Sequence, residues 1–161
     1  EEALRIPLIV GGETSRYSDW DGRGGGLCDV PASHVDIAPT SLGLCGLEAP
    51  SWMAGADLSG YRIASRPKVP LESACAGIWR PMTWDGLDWP WRCVVTRDGW
   101  KYTSLNGQPY MMTNVNDDPY ERVNLIPSQL HKAQRRRLHS LLVDWIRRTG
   151  DGFPLSPPSE A

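Results

Sequence analysis

Two glycine-bearing turns, Asp98-Gly99 and Asn106-Gly107, constrain the fold of this chain more than any other feature. Asp or Asn followed by Gly tolerates the positive φ values that a tight reversal between antiparallel strands demands. The segments around them are built for strands. Trp91 to Arg97 is aromatic and β-branched, Trp100 to Leu105 returns, and Gln108 to Asn114 makes a further strand. The spacing predicts an antiparallel meander over 91–114. Ser73 to Trp79 reads as one more strand ahead of it, separated by a long loop from Arg80 to Pro90.

A sheet with an apolar face needs a cover, and Ser128 to Thr149 offers one. Leu138, Leu141, Leu142 and Trp145 recur at i, i+3, i+4 and i+7, which is one apolar stripe on a helix. Ser128 is placed to cap its start and Gly150 to end it, with Arg147 and Arg148 near its negative end. Arg135-Arg136-Arg137 reads as the solvated side of that helix rather than a nucleic-acid face. Sheet and helix together make a two-layer unit.

Upstream, Ser33 to Leu47 reads as an extended approach, a cap and a brief helix. Asp36 caps it, Pro39 sits in the first turn where donors are spare, and Gly46 ends it; Ile37, Leu42 and Leu44 supply apolar surface. Ile6-Pro7-Leu8-Ile9-Val10, closed by Gly11-Gly12, is expected to be a strand buried on both faces, as in an α/β sheet. Trp52, Met53 and Leu58 are spaced to pin a meandering loop. The basic, proline-bearing stretch from Tyr61 to Glu72 marks a boundary. The expected organisation is therefore the end of an α/β domain over 1–62, an α+β subdomain over 63–150 with its helix at 128–149, and a flexible proline-rich tail over 151–161.

Several function classes are disfavoured. The net charge of −2 over 161 residues gives no global field for nucleic acid or an anionic membrane. No stretch approaches the roughly 20 apolar residues of a membrane span. The four cysteines form no C-x-x-C pair, so a zinc site is not expected, and Cys28, Cys45, Cys75 and Cys93 read as buried free thiols. Gly22 to Gly26 around Arg23 matches neither phosphate-binding glycine motif and reads as a surface loop. Asn116 to Glu121 lacks the twelve-residue calcium pattern and reads as turn chemistry. The chain opens without Met and without a signal-like segment, which suggests part of a longer protein and leaves its compartment open.

Four phrases, in order, resemble the sulfatase family. They are Glu1 to Val10 ("EEALRIPLIV"), Ser33 to Leu47 ("SHVDIAPTSLGLCGL"), Gly46 to Leu58 ("GLEAPSWMAGADL"), and the long phrase from Trp91 to Ile126. The last carries Arg97, Trp100, Lys101, Tyr102, Tyr110, Asp118, Pro119, Glu121, Asn124 and Leu125 at family positions; Met111-Met112-Thr113 replaces the usual Leu-Tyr-Asp. The resemblance runs from Glu1 to about Gly150. It implies the C-terminal portion of a sulfuric ester hydrolase, acting on a sulfated small molecule or carbohydrate.

The complete family enzyme would use a formylglycine nucleophile made within Cys/Ser-x-Pro-Ser/Ala-Arg, and Ca²⁺ or Mg²⁺. Neither that motif nor the family's metal-binding aspartate segments are found here, so no catalytic or metal-ligating residue is carried over. This chain alone is expected to bind no cation and to be inactive. Trp84, Trp89, Arg92 and His34 are candidates for a substrate rim, with a hydrogen-bonded structural role weighed beside it for His34. Arg5 and Asp36 are read as a structural pair. Two alternatives stand: part of a related phosphonate or phosphate ester hydrolase, and a non-catalytic carbohydrate-binding module using the Trp-rich loop.

Overall fold

The structure is a computed structural model, and it describes residues 4, 6–11, 27–63, 65–78 and 89–156. The chain divides into two compact units, one of Arg5–Glu72 and one of Ser73–Ala161 with Glu1–Leu4.

The larger unit is a four-stranded antiparallel sheet in the order β1-β2-β3-β4, formed by β1 (Ser73–Ile78), β2 (Trp91–Thr96), β3 (Trp100–Leu105) and β4 (Gln108–Asn114). The meander is as the turns predicted. Asn106 and Gly107 both have positive φ, 47° and 83°, and join the paired Leu105 and Gln108 in a two-residue turn. The other hairpin is one residue longer than a two-residue turn. Arg97, Asp98 and Gly99 form the loop, Gly99 sits at φ +84°, and its N–H donates to Thr96 O at 3.0 Å. Pro109 lies in β4, an edge strand, where a missing donor leaves no ladder bond unmade. The register slips beside it, with Thr103 opposite Met111 and Ser104 opposite Pro109, which leaves Tyr110 as the extra residue of a bulge.

Register decides what reaches the core. Cys75, Val94, Tyr102 and Met112 are successive partners across all four strands, so they form one row on one face. Leu138 and Leu142, one turn apart on α2 (Lys132–Thr149), complete the same buried cluster. Tyr102 is fully buried, and its hydroxyl lies 3.1 Å from Nδ1 of the buried His139. The apolar stripe of α2 thus covers the sheet, and Gly150 ends the helix in the left-handed region at φ 63°.

The start of α2 differs from expectation. A 3₁₀ turn over Gln129–His131 precedes it, and the Ser128 hydroxyl bonds His131 Nδ1 at 2.8 Å instead of a backbone N–H of the first turn. Residues 151–156, expected to begin a flexible tail, are packed. Phe153 is buried, Leu155 lies against the core, and Ser156 N–H donates to Gly107 O at 2.8 Å. A single aromatic residue can anchor a proline-rich segment wherever a strand and a turn offer it a surface.

In the smaller unit a 3₁₀ turn (His34–Asp36) leads into α1 (Ile37–Leu44). Gly46 ends it at φ +80°, and Leu47 N–H returns to Leu42 O at 2.9 Å. Three expectations are corrected here. First, Asp36 caps no N–H of α1. Its carboxylate accepts from Ser33 N and from Ala56 N, each at 2.7 Å, so it staples the approach to a loop twenty residues on.

Second, the buried face of α1 is Pro39, Thr40 and Gly43, while Ile37 is exposed. A Cβ on Gly43 would collide with the Asp57 carboxylate, so close approach selects glycine there. Trp52 is 78% exposed, and polar groups fix the 51–58 loop instead: Leu58 N–H donates to Thr40 Oγ1 at 3.0 Å, and Arg66 pairs with Asp57 at 2.6 Å.

Third, Ile6–Val10 is not a strand, and Ile6, Leu8, Ile9 and Val10 are exposed. A run that is apolar on both faces becomes a strand only when neighbours bond its edges and cover both faces. Among the described residues of its unit none does so.

Candidate functional site

The residues at family positions prove to be a hydrogen-bonded clamp on β3 and β4. Asp118 turns the chain, its Oδ2 accepting from Val123 N at 2.9 Å. Asn124 then grips the edge strand from both of its polar ends. Its Oδ1 accepts from Met112 N at 3.1 Å and Ile126 N at 3.0 Å, and its Nδ2 donates to Tyr110 O at 2.9 Å.

Between them Glu121, held at φ 53°, reaches the other face of the sheet. It pairs with Lys101 Nζ at 2.7 Å and accepts from Thr113 Oγ1 at 3.0 Å. Burial alone would raise this carboxyl. The bonds from Lys101 and Thr113 and the Lys101 charge are among the causes that oppose burial, and the carboxyl lies well down, at about 2. The fixed positions of the Asp-Pro-x-Glu-x-x-Asn-Leu phrase are therefore architecture: Asp118, Glu121 and Asn124 all spend their polar atoms on the fold.

Of the candidate rim residues, His34 belongs to the smaller unit, and Trp89 and Arg92 to the larger. Trp89, just ahead of β2, is 57% exposed, and His34 is exposed in the smaller unit. Arg92 is corrected outright, being 4% exposed. Its Nε and Nη2 donate to the two oxygens of Asp151 at 2.5 and 3.0 Å, and Nη1 donates to Ile78 O and Trp91 O. Its guanidinium also lies 4.8 Å from the centre of the Phe153 ring. Trp84 and Arg5 lie outside the described residues, and with Arg5 the proposed Arg5–Asp36 pair. Asp151 is the residue sequence reasoning missed, since nothing local marks a lone Asp after a helix as the partner of a strand Arg.

A shallow cavity of about 270 Å³ is lined by Asn114, Asp117, Asp118, Val123, Leu125 and His131. Its Asn114 and Asp118 oxygens already accept from Asn116 N and Val123 N. Among the described residues, no group of three or more His, Cys, Asp or Glu side chains is arranged to hold a metal ion, and no helix is long and apolar enough to cross a membrane.

The cysteines divide two and two. Cys75 and Cys93 are buried, but Cys28 and Cys45 are exposed, against expectation. Burial pushes the Cys75 thiol up to about 12, with Cys93 adding to the rise and Arg148 opposing it; burial also raises Cys93. At pH 7.5 a thiol-reactive chromophore should therefore label two cysteines at once and the other two only in denaturant. Four fast thiols would contradict the buried row.

The fold is thus an antiparallel α+β unit of the kind that sulfatases carry, and the chain is similar to sulfatases over their C-terminal part. No family model matches the chain. It is 24% identical over 153 residues to an ulvan-active sulfatase of Formosa agariphila, and 25% identical over 158 residues to the uncharacterized sulfatase YidJ of Escherichia coli. Each match covers 95% of this chain, which spans only 29% and 28% of those relatives.

Among solved structures, one assigned as a sulfatase of Bacteroides thetaiotaomicron aligns with a TM-score of 0.61 at 26% identity. It covers 72% of this chain and 25% of that one. Two more share the fold. One is a protein holding its substrate D-glucosamine-2-N,6-O-disulfate (TM-score 0.62, 22% identity, 74% of this chain and 24% of that one). The other is the phosphonate monoester hydrolase of Agrobacterium radiobacter (TM-score 0.58, 19% identity, 71% and 24%).

Proposed function

We propose that this chain is the C-terminal portion of a sulfatase and that the complete protein hydrolyses sulfate esters of a carbohydrate. The observation that carries this reading is the match of 95% of the chain to sulfatases more than three times its length. The sulfated glucosamine bound by a fold neighbour supports a sugar as the substrate class.

In this reading the chain supplies the sheet, the clamp and α2. The nucleophile, a formylglycine, and the Ca²⁺ or Mg²⁺ belong to segments outside it. Ester cleavage needs both a nucleophile and a centre for the developing negative charge, so residues 1–161 alone would be inactive. The related phosphonate hydrolase fold makes the second reading a phosphonate or phosphate ester hydrolase.

The test is to assay residues 1–161, with Ca²⁺ or Mg²⁺, on an aryl sulfate and an aryl phosphate. A longer form containing an upstream Cys-x-Pro-Ser-Arg is assayed beside it. Silence from the short chain and sulfate turnover by the long form are expected. Phosphate or phosphonate turnover without sulfate turnover would favour the second reading. Turnover by residues 1–161 that is lost on substitution within them would overturn both.

A further inference from the structure

Asn106 differs from the other three asparagines of the chain, because it alone precedes a glycine. The others are engaged: Asn114 Oδ1 accepts from Asn116 N, Asn116 Nδ2 donates to Asp98 O, and Asn124 bonds through both of its polar ends. Asn106 is exposed, and its carboxamide makes no hydrogen bond among the described residues. The adjoining Gly107 N–H donates to no acceptor there either. At the other hairpin the matching amide is taken. Gly99 N–H donates to Thr96 O at 3.0 Å, and the Asp98 carboxylate pairs with Arg137.

An unbonded backbone N–H beside an unbonded carboxamide is a latent nucleophile beside an electrophile, and glycine adds no side chain to shield it. Ring closure between them requires the peptide joining Asn106 to Gly107 to rotate out of the two-residue turn, until Gly107 N faces Asn106 Cγ. The surroundings oppose that rotation from both sides. Asn106 N–H donates to Pro90 O at 2.8 Å. Gly107 O accepts from Ser156 N at 2.8 Å, and Gln108 Nε2 donates to Ser156 Oγ at 2.7 Å. Pro154 O sits so close that a Cβ on Gly107 would collide with it. The packed segment over residues 153–156 therefore restrains the one peptide that has to turn.

We propose that Asn106–Gly107 is a site of spontaneous deamidation, and that the docking of residues 153–156 on the turn sets its rate. Gly107 N attacks Asn106 Cγ, the Cγ–Nδ2 bond breaks, and Nδ2 leaves as ammonia with the proton that Gly107 N gives up. Water then opens the cyclic imide at either carbonyl, leaving aspartate or isoaspartate at this position. No oxidant, reductant or enzyme is needed. The rate follows local opening of the turn rather than unfolding of the whole unit, since only the tail contacts and the Pro90 bond have to yield. The proposal is independent of the sulfatase reading.

The test incubates residues 1–161 at mildly alkaline pH and maps aspartate and isoaspartate by peptide mass spectrometry and an isoaspartate-specific methyltransferase. Asn106 should be converted ahead of Asn114, Asn116 and Asn124, and faster in urea than in buffer. Ser156→Pro removes the N–H bonded to Gly107 O and should speed conversion roughly 5-fold, the worth of one ordinary hydrogen bond. Phe153→Ala frees more of the segment and should be faster still. Glu121→Gln weakens the unit from the other face of the sheet and touches neither the turn nor the tail, so it should leave the rate unchanged. Asn106→Gly keeps a residue suited to positive φ and should abolish the product.

Conversion of another asparagine ahead of Asn106 would overturn the proposal. So would equal rates in the unaltered chain, Ser156→Pro and Phe153→Ala, which would mean that the tail does not govern the turn. Acceleration by Glu121→Gln as large as that by Phe153→Ala would tie the reaction to global unfolding, and would overturn it as well.

Discussion

Replacing Arg92 by Ala should destabilise the sheet–helix unit by about 3–5 kcal/mol, because it strands a buried carboxylate. The Asp151 side chain is 6% exposed and is bonded by two guanidinium nitrogens. The same guanidinium also satisfies the Ile78 and Trp91 carbonyls, so truncation leaves several acceptors of the β1–β2 edge without their donor. It further removes the cation beside the Phe153 ring. Arg92→Lys should recover only part of the loss, since an ammonium cannot make the two-nitrogen contact. The double change Arg92→Met with Asp151→Leu should be milder than Arg92→Ala, because it removes both buried charges together. Urea unfolding followed by tryptophan fluorescence reads all three. A loss under about 1 kcal/mol for Arg92→Ala would mean that the pair is solvated and that the packing of residues 151–156 is not held by it.

The same arginine shows where sequence reasoning stops. The hairpins were legible because their cause is local: two Asx-Gly steps need positive φ, and the flanking residues favour strands. The stripe on α2 was legible because its period is carried by one helix. The row Cys75–Val94–Tyr102–Met112 depends on register across four strands, which no single strand encodes. Arg92 was read as a rim residue because it follows a long Trp-rich loop. Its partner lies 59 residues away beyond the end of α2, at a spacing with no period.

Asp36 was read as the cap of α1, but it accepts from the Ser33 and Ala56 amides instead, and the Ala56 amide reaches it only through tertiary folding. Ile6–Val10 was read from its apolar run and its family phrase, and a strand also needs neighbours. As for chemistry, the family phrases were legible by pattern, yet their residues hold the fold together and assemble no reacting centre among the described residues.

Acid should destabilise this unit in two separate stages, each removable by one substitution. The upper stage belongs to His139. Burial holds its imidazole below the ordinary value, and Tyr102 OH is its hydrogen-bond partner, with the buried Arg135 one turn before it on α2. The unfolded chain takes up a proton near pH 6.5 while the folded chain resists it, so stability falls as the pH drops below that value.

The lower stage belongs to Glu121. Its folded value, about 2, is depressed from 4.5, so the stability it confers is complete above the unfolded value and is lost as the pH falls from about 4.5 toward 2. His139→Gln keeps a polar partner for Tyr102 and should flatten the profile between pH 6.5 and 5 while leaving the lower stage in place. Glu121→Gln should abolish the lower stage and cost stability already at pH 7, because the Lys101 ammonium, 9% exposed, loses its counter-charge. Urea midpoints collected from pH 8 to pH 3 separate the stages. A single step near pH 4 in all three proteins would show that neither the buried imidazole nor the Lys101–Glu121 pair governs the acid response.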